Sequence, residues 1–358
     1  MSLKKYGKKI LLGIAGIFTI FLCAATILLI VLSVREYRPD DKEEVKIKGD
    51  SGRKIAKEEE ISILSWNVGY GALSETEDFF MDGGEKVRPD QADLVDANVH
   101  AMKEVIDQSG SQVVFLQEVD RSSKRSYDRN EVKMFTEGWT GNFGYARNFL
   151  CDYIPYPLPT IGKVDAGLVT MNQFSVDTAE RIALPTPFSW PIRICQLKRC
   201  LFVERVPIEG SDRQVVFVNF HLEAYDDGSG KEAQTKLLSK ILQEEYDAGN
   251  YVIAGGDFNQ TFEQVDEEKY PVWDDDNFQA GKVEADLFEE GWQFAVDDSL
   301  PSCRLLNRPY DRDDPKTQFY VIDGFILSPN VSLQSVHTLD EDFKNSDHNP
   351  VQIKIKLK

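Results

Sequence analysis

The chain has 358 residues, 42% of them hydrophobic and 11% aromatic. That is enough apolar content to bury a large core, which excludes disorder throughout and admits at most two or three ordinary domains. The formal charge of -19 at pH 7 repels a phosphate backbone at long range, so composition disfavours nucleic acid as a partner unless a local basic patch overcomes the field.

The chain begins with a basic tail over residues 1–9, carrying Lys4, Lys5, Lys8 and Lys9, and continues as an uncharged, mostly apolar run from Ile10 to Val34. As a helix that run extends about 37 Å, enough to cross a hydrocarbon core of about 30 Å with some tilt. A cleaved signal peptide has an apolar region of about 7–15 residues that ends at small residues. This run is longer and meets Arg35, Glu36 and Tyr37. The expectation is therefore an uncleaved transmembrane helix over residues 10–34, with the lipid bilayer as its partner. Arg35, Arg38, Lys42, Lys46 and Lys48 follow the span, but the lysine cluster at the start favours a cytoplasmic N-terminus under the positive-inside rule. The body of the protein is then extracytoplasmic, tethered to the cell membrane by a charged linker over residues 35–60.

From Ile61 onward, short β-type runs follow one another: ISILSWN, QVVFLQEV, GLVTM, QVVFVNFHL, YVIAGGDFN, FYVIDGFIL and VQIKIKL. Several are continuously apolar, which predicts sheets covered on both faces. Val95, Val99, Met102 and Ile106 recur at helical spacing and predict a helix from about Gln91 to Ser109. Leu237, Leu238, Ile241 and Leu242 mark a second, from Glu232 to Tyr246. Interleaved helices and strands, with tight polar turns later in the chain, predict one α/β (α+β) layered sandwich over residues 61–358. No internal repeat is visible. The acidic stretch from Phe262 to Ser302 reads as a surface insertion with one short helix. Its Asp274, Asp275 and Asp276 lack the Gly and Glu positions of an EF-hand and read as a solvated loop.

Of five cysteines, Cys195 and Cys200 in CQLKRC are close enough to form a small disulfide loop in an oxidising compartment; two ordinary thiols are an equal reading. No Cys/His spacing suggests zinc.

Polar residues able to bind metal stand where apolar runs end. Asn67 ends ISILSWN, Glu118 ends VVFLQE, His221 ends VFVNFH, and Asp257 and Asn259 end VIAGGDFN. Asp323 interrupts FYVIDGFIL, and Asp347 and His348 precede the last strand. Each alone has a bland reading, as turn chemistry or a solvated strand end. A carboxylate inside a strand as apolar as that of Asp323 needs a partner, and His348 is the natural one, because a carboxylate on one imidazole nitrogen orients the other.

Taken in order, SWN, LQE, the HL of NFHLEA, GDFN, the aspartate of VIDGFIL, and SDH followed by Pro350 resemble the endonuclease/exonuclease/phosphatase superfamily, in a membrane-anchored form of bacterial type. That superfamily includes deoxyribonuclease I-like nucleases, neutral sphingomyelinases and inositol polyphosphate 5-phosphatases. The resemblance implies a four-layer sandwich of two packed β-sheets flanked by helices, with the site at one edge. It implies a magnesium- or manganese-dependent phosphoester hydrolase in which Glu118 is the principal metal ligand and Asn67 and Asp347 complete or support its shell. Asp257 would position or deprotonate water, Asn259 would orient substrate, and His221 with the Asp323–His348 pair would contact phosphoryl oxygens or move a proton. Tyr145, in FGYARNF, is a candidate substrate contact, as are Arg147 and Asn148 beside it.

Superfamily membership fixes the bond type better than the molecule attacked. The anchor and the acidic charge favour a phospholipid or small phosphodiester over DNA or RNA, which stands as the alternative. A catalytically silent binding module is a second alternative, opposed by the chemically competent residue at every matched position. The proline- and aromatic-rich segment NFLCDYIPYPLPTIGKVDAG reads either as an apolar lip near the membrane or as a well-packed loop.

Overall fold

The computed structural model describes residues 2–273 and 277–358, so Asp274, Asp275 and Asp276 lie outside the described residues. Helix α1 (Ser2–Val34) is exposed over most of its length and meets the rest of the protein near its C-terminal end, where Leu32 is buried and Ser33 accepts from Trp190 Nε1. Only 6% of its most apolar window is buried within the protein, and it is long and apolar enough to cross a membrane.

Two large sheets form the body. One has seven strands in the order β1 (Lys42–Glu44), β6 (Thr178–Ala183), β7 (Cys200–Pro207), β8 (Gln214–His221), β9 (Tyr251–Asp257), β15 (Asp323–Leu327) and β12 (Gln293–Ala295). The other has six, in the order β16 (Val331–Thr338), β17 (Val351–Leu357), β2 (Ile61–Asn67), β3 (Val113–Asp120), β5 (Gly162–Asn172) and β4 (Asn142–Ile154). Two short pairs complete the strands: β10 (Gln260–Thr261) with β11 (Gly281–Lys282), and β13 (Cys303–Arg304) with β14 (Phe319–Tyr320). Each large sheet holds one parallel pair, β2 with β3 and β8 with β9, flanked by antiparallel neighbours. Helix α2 (Ala92–Ser109) connects the first pair and α4 (Ser229–Asp247) the second. The two sheets thus echo each other in topology, a likeness invisible in residue identities.

The strands are apolar on both faces because both faces are covered. Val113 and Phe115 face the opposite sheet beside Phe217, Ile253 and Phe325. Val114 and Leu116, alternating with them, pack with Val95, Val99 and Met102 of α2. Val252 and Ala254 of β9 likewise pack with Leu238 and Leu242 of α4. The result is helix, sheet, sheet, helix. A third helix, α3 (Glu131–Thr136), is capped by the Asn130 side chain on the Lys133 amide.

Three sequence expectations need revision. FYVIDGFIL is not one strand: β14 pairs with β13, and β15 starts afresh at Asp323 against β9. The acidic stretch contributes Phe262, Val265 and Val283 to the core around α4, so it is more than a surface insertion. Residues 35–60 are not a free linker. Strand β1 extends the seven-stranded sheet beyond β6, Lys48 bridges to Phe143, and Ile55, fully buried, bridges to Ile208. Charged residues dominate that stretch, but Val45, Ile47 and Ile55 between them find the sheet edges.

Candidate active site

The C-terminal ends of the two parallel pairs converge at one edge of the sandwich. In the seven-stranded sheet, His221, Asp257 and Asp323 stand side by side in register on β8, β9 and β15. From the other sheet, Asn67 ends β2, Glu118 sits at a bulge in β3, and Asp347 and His348 lead into β17. Glu118 has φ 55°, in the left-handed region; this turn separates its carboxylate from the strand alternation and leaves it partly exposed to the cleft. Asn259, with φ 50°, makes a similar turn after β9.

Hydrogen bonds tie the sheets together here. Asn67 Nδ2 donates to Asp257 Oδ2 at 3.0 Å and faces Glu118 Oε1 at 3.3 Å, while its Oδ1 accepts from the Gly69 amide. The Asn259 amide donates to Asp257 Oδ1 at 2.8 Å, and Asn259 Nδ2 donates to the Leu222 carbonyl. His348 Nδ1 lies 2.8 Å from Asp323 Oδ2, which also accepts from Ser302 Oγ at 2.7 Å. The other His348 nitrogen, Nε2, stands 3.8 Å from Asp257 and from Asp347, and His221 Nε2 stands 3.4 Å from Asp257. Gly69 makes room for Asp347: a Cβ there would lie 2.8 Å from Asp347 Oδ1, and its φ of 50° disfavours any larger residue.

Burial, with the Asp323 charge beside it, pushes the Asp257 carboxyl up to about 7. Burial, with Glu118 nearby, pushes Asp347 up to about 7 as well. For His348, burial alone opposes the charged ring, but Asp323 and Asp347 outweigh it and hold the ring well above its ordinary range. Burial and the neighbouring Arg199 hold His221 well below that range, so it is neutral.

All eight strand-end residues therefore meet at one place. Glu118, His221, Asp257, Asn259, Asp347 and His348 line a single cleft of about 780 Å³. Tyr145 sits apart, bonded through its hydroxyl to Asp165, which also binds Arg147; Asn148 does line the cleft. Cys195 lies 3.8 Å from Cys151, sulfur to sulfur, whereas Cys200 points into a separate apolar cluster with Ala179 and Phe202, so a Cys195–Cys200 loop does not form.

Sequence reasoning missed three arginines of this cleft, Arg199 and Arg304 buried and Arg125 half-buried. Arg125 pairs with Asp120 at 3.0 Å and stacks 3.7 Å over Tyr70. Arg199 pairs with Glu223 at 3.2 Å. Arg304 is held by the carbonyls of Ser74 and Glu77. It also missed the 2.6 Å bond from the Tyr225 hydroxyl to Asp82. Arg125 and Asp120 are five residues apart, but neither stands in a pattern that marks a site, and these partners of Arg199, Arg304 and Tyr225 lie 24 to 230 residues away in the chain.

Among solved structures, an endonuclease/exonuclease/phosphatase from Beutenbergia cavernae is 18% identical, with 83% of this chain and 72% of that one covered and a TM-score of 0.57. One from Bacteroides vulgatus is 14% identical, covering 84% and 100%, with a TM-score of 0.53. The human nocturnin catalytic domain, solved with a bound sulfate anion, is 14% identical, covering 88% and 97%, with a TM-score of 0.50. At these identities the likeness establishes the fold. No curated protein matches the sequence. The model of the endonuclease/exonuclease/phosphatase family matches residues 64–348, from β2 to His348, and the chain belongs to that family.

Proposed function

We propose that this protein is a divalent-metal-dependent phosphoester hydrolase, anchored in the cell membrane by α1 with its catalytic domain extracytoplasmic, and acting on a phospholipid or small phosphodiester. The observation that carries this reading is the meeting of Asn67, Glu118, Asp347 and His348 from one sheet with His221, Asp257, Asn259 and Asp323 from the other.

A magnesium or manganese ion fits the donor set. Glu118 and Asp347 offer hard oxygen atoms, and among the described residues neither carboxylate forms an ion pair with a lysine or arginine. Burial, and after it the nearby Glu118, push the Asp347 carboxyl up, and a cation between the two would favour its ionised form. Asn67 supports this shell, its carbonyl being turned to Gly69. Donor atoms of Asp257, Asp323 and His348 also lie within 4.8 Å of one another. There, however, His348 Nδ1 is committed to Asp323, and Asp257 to Asn67 and Asn259, so that trio is assigned to proton handling. A metal bound by Glu118 and Asp347 supplies positive charge against a phosphoryl oxygen.

Asp257, fixed at both oxygens and with its pKa near neutrality, positions and deprotonates the attacking water. His348, kept protonated by Asp323, donates from Nε2 to a phosphoryl oxygen, and neutral His221 gives a second contact. Asn259 holds the turn that aims Asp257. The water oxygen bonds to phosphorus, the opposite P–O bond breaks, and the departing alkoxide takes a proton from solvent while Asp257 gives up the one it accepted. Tyr145 acts behind the site, on Asp165.

The test is hydrolysis of bis(p-nitrophenyl) phosphate by the full-length protein in detergent, with magnesium or manganese. Activity should disappear with chelator and fall about 100-fold or more in Glu118→Gln and His348→Ala. If no phosphoester in a panel of DNA, RNA, sphingomyelin, phosphoinositides and inositol phosphates is cleaved, the enzyme reading fails. Preference for DNA at physiological salt would overturn the electrostatic argument. Protease added to intact cells should remove the catalytic domain; protection would reverse the orientation.

A further inference from the structure

The catalytic cleft has two unlike halves. Its floor is polar and holds Glu118, Asp257, Asp347 and His348; its walls and mouth are apolar, and part of that wall is α1 itself, through Leu29 and Leu32. Facing them across the same cavity are Phe80, Tyr156, Ile161 and Ile192, from three separate segments of the catalytic domain.

The helix is fastened to the domain at this point. Trp190 Nε1 donates to Ser33 Oγ at 3.1 Å. Arg35 pairs with Asp152 at 2.6 Å, and Glu36, its side chain buried, receives Arg193 at 2.9 Å and Lys198 at 3.4 Å. The first charged residue after the apolar run, Arg35, marks the membrane boundary, and Leu29 lies about 9 Å deeper along the helix, within the hydrocarbon half-thickness of about 15 Å. A cavity lined by Leu29 therefore opens toward the acyl chains of the leaflet. Two of its lining side chains, Tyr156 (69% exposed) and Ile192 (59%), and two beside them in the chain, Leu158 (88%) and Trp190 (55%), are exposed apolar groups that water alone would not favour. Tyrosine and tryptophan at such a rim suit the interface between headgroups and hydrocarbon.

We propose that the apolar half of the cleft is an acyl-chain subsite, filled laterally from the bilayer along α1 by a lipid with a phosphodiester-linked headgroup, whose phosphate then lies on the polar floor. This rests on the hydrolase reading and names its substrate class. A long polyanion or a small hydrophilic ester leaves the apolar walls unsatisfied, whereas a lipid matches both halves and is present at high local concentration beside the helix.

The experiment uses the full-length protein in nanodiscs containing phosphatidylcholine, phosphatidylglycerol and sphingomyelin. In one arm, with chelator present to stop turnover, phospholipid carrying a photoreactive acyl chain is cross-linked and the adducts are mapped by mass spectrometry. Adducts on Tyr156, Ile161 or Ile192 support the subsite. Adducts confined to α1 overturn it, whatever the activity. In the other arm, magnesium-dependent hydrolysis of the nanodisc lipids is compared with that of bis(p-nitrophenyl) phosphate. Tyr156→Asp and Ile192→Asp, at exposed positions, should lower the lipid-to-soluble rate ratio about tenfold or more. An unchanged ratio in both variants, or cleavage of the soluble diester but of no lipid, sinks the inference and leaves the hydrolase reading standing. Cleft adducts without hydrolysis of any phosphoester leave the acyl-chain site standing and sink the hydrolase reading.

Discussion

Asn67 Nδ2 donates to Asp257 Oδ2 at 3.0 Å, and the two residues end strands of different sheets. This bond closes the edge of the sandwich where the site lies and fixes the carboxylate assigned to water activation. Asn67→Ala leaves that carboxylate short of a donor, which should destabilise the fold by about 1–3 kcal/mol and cut turnover of the soluble diester about 100-fold. Asn67→Asp, which sets a second negative charge at the same place, should lower turnover further. Thermal melts and steady-state rates on the two variants check this.

The Asp323–His348 pair predicts a pH effect with a definite sign. His348 titrates above its unfolded value, so the pair stabilises the fold fully below the unfolded histidine pKa and the contribution fades as pH rises through the folded one. Asp323→Asn removes the counter-charge. The variant should lose more stability at pH 6 than at pH 9, and the alkaline limb of its pH–rate profile should move to lower pH. A limb that does not move would detach His348 from the reaction.

Glu204 on β7 gives a stability prediction independent of the site. It is fully buried, accepts from Asn172 Nδ2 at 3.0 Å, and has a second oxygen without a partner among the described residues. Burial pushes its carboxyl from 4.5 up to about 8. Between those values the folded chain keeps a proton that the unfolded chain has released, so stability falls as pH rises across the window. Glu204→Gln should flatten this slope, melting above wild type at pH 8 and converging with it near pH 5.

Ile55 tests whether residues 35–60 belong to the domain. It is fully buried in the core between the sheets, so Ile55→Ala should cost about 2–5 kcal/mol of stability, the range for large-to-small core changes. A change under about 0.5 kcal/mol, typical of surface positions, would restore the reading of a free linker. Chemical denaturation of the full-length protein in detergent distinguishes the two.

Much of this molecule is legible in the chain because its strands are buried on both faces. ISILSWN and YVIAGGD are apolar without interruption, so any polar residue at their ends stands out, and Asn67 and Asp257 were found that way. The helix α2 was legible because Val95, Val99, Met102 and Ile106 hold one face. Strands β1, β4, β6 and β16 are hard to read, since edge or near-edge strands mix exposed polar residues with apolar ones and lose the pattern, and β7 hides because buried Glu204 and half-buried Arg205 interrupt its apolar run. Asp323 was flagged by its cost inside an apolar strand, although it proved to begin a strand beside Asp257.

By itself, then, the sequence determined the membrane-length helix, the strands covered on both faces and the set of eight polar residues, because these depend on local hydrophobicity and on residue type. Tertiary structure decided how they serve one another. Arg125 stacks on Tyr70, Arg199 and Arg304 reach the cleft through partners distant in the chain, Cys195 turns to Cys151, and Leu29 and Leu32 of α1 become a wall of the catalytic cavity. Those relationships depend on which surfaces meet when the sheets close, and hydrophobic patterning fixes which residues are buried without fixing which neighbours they are buried against.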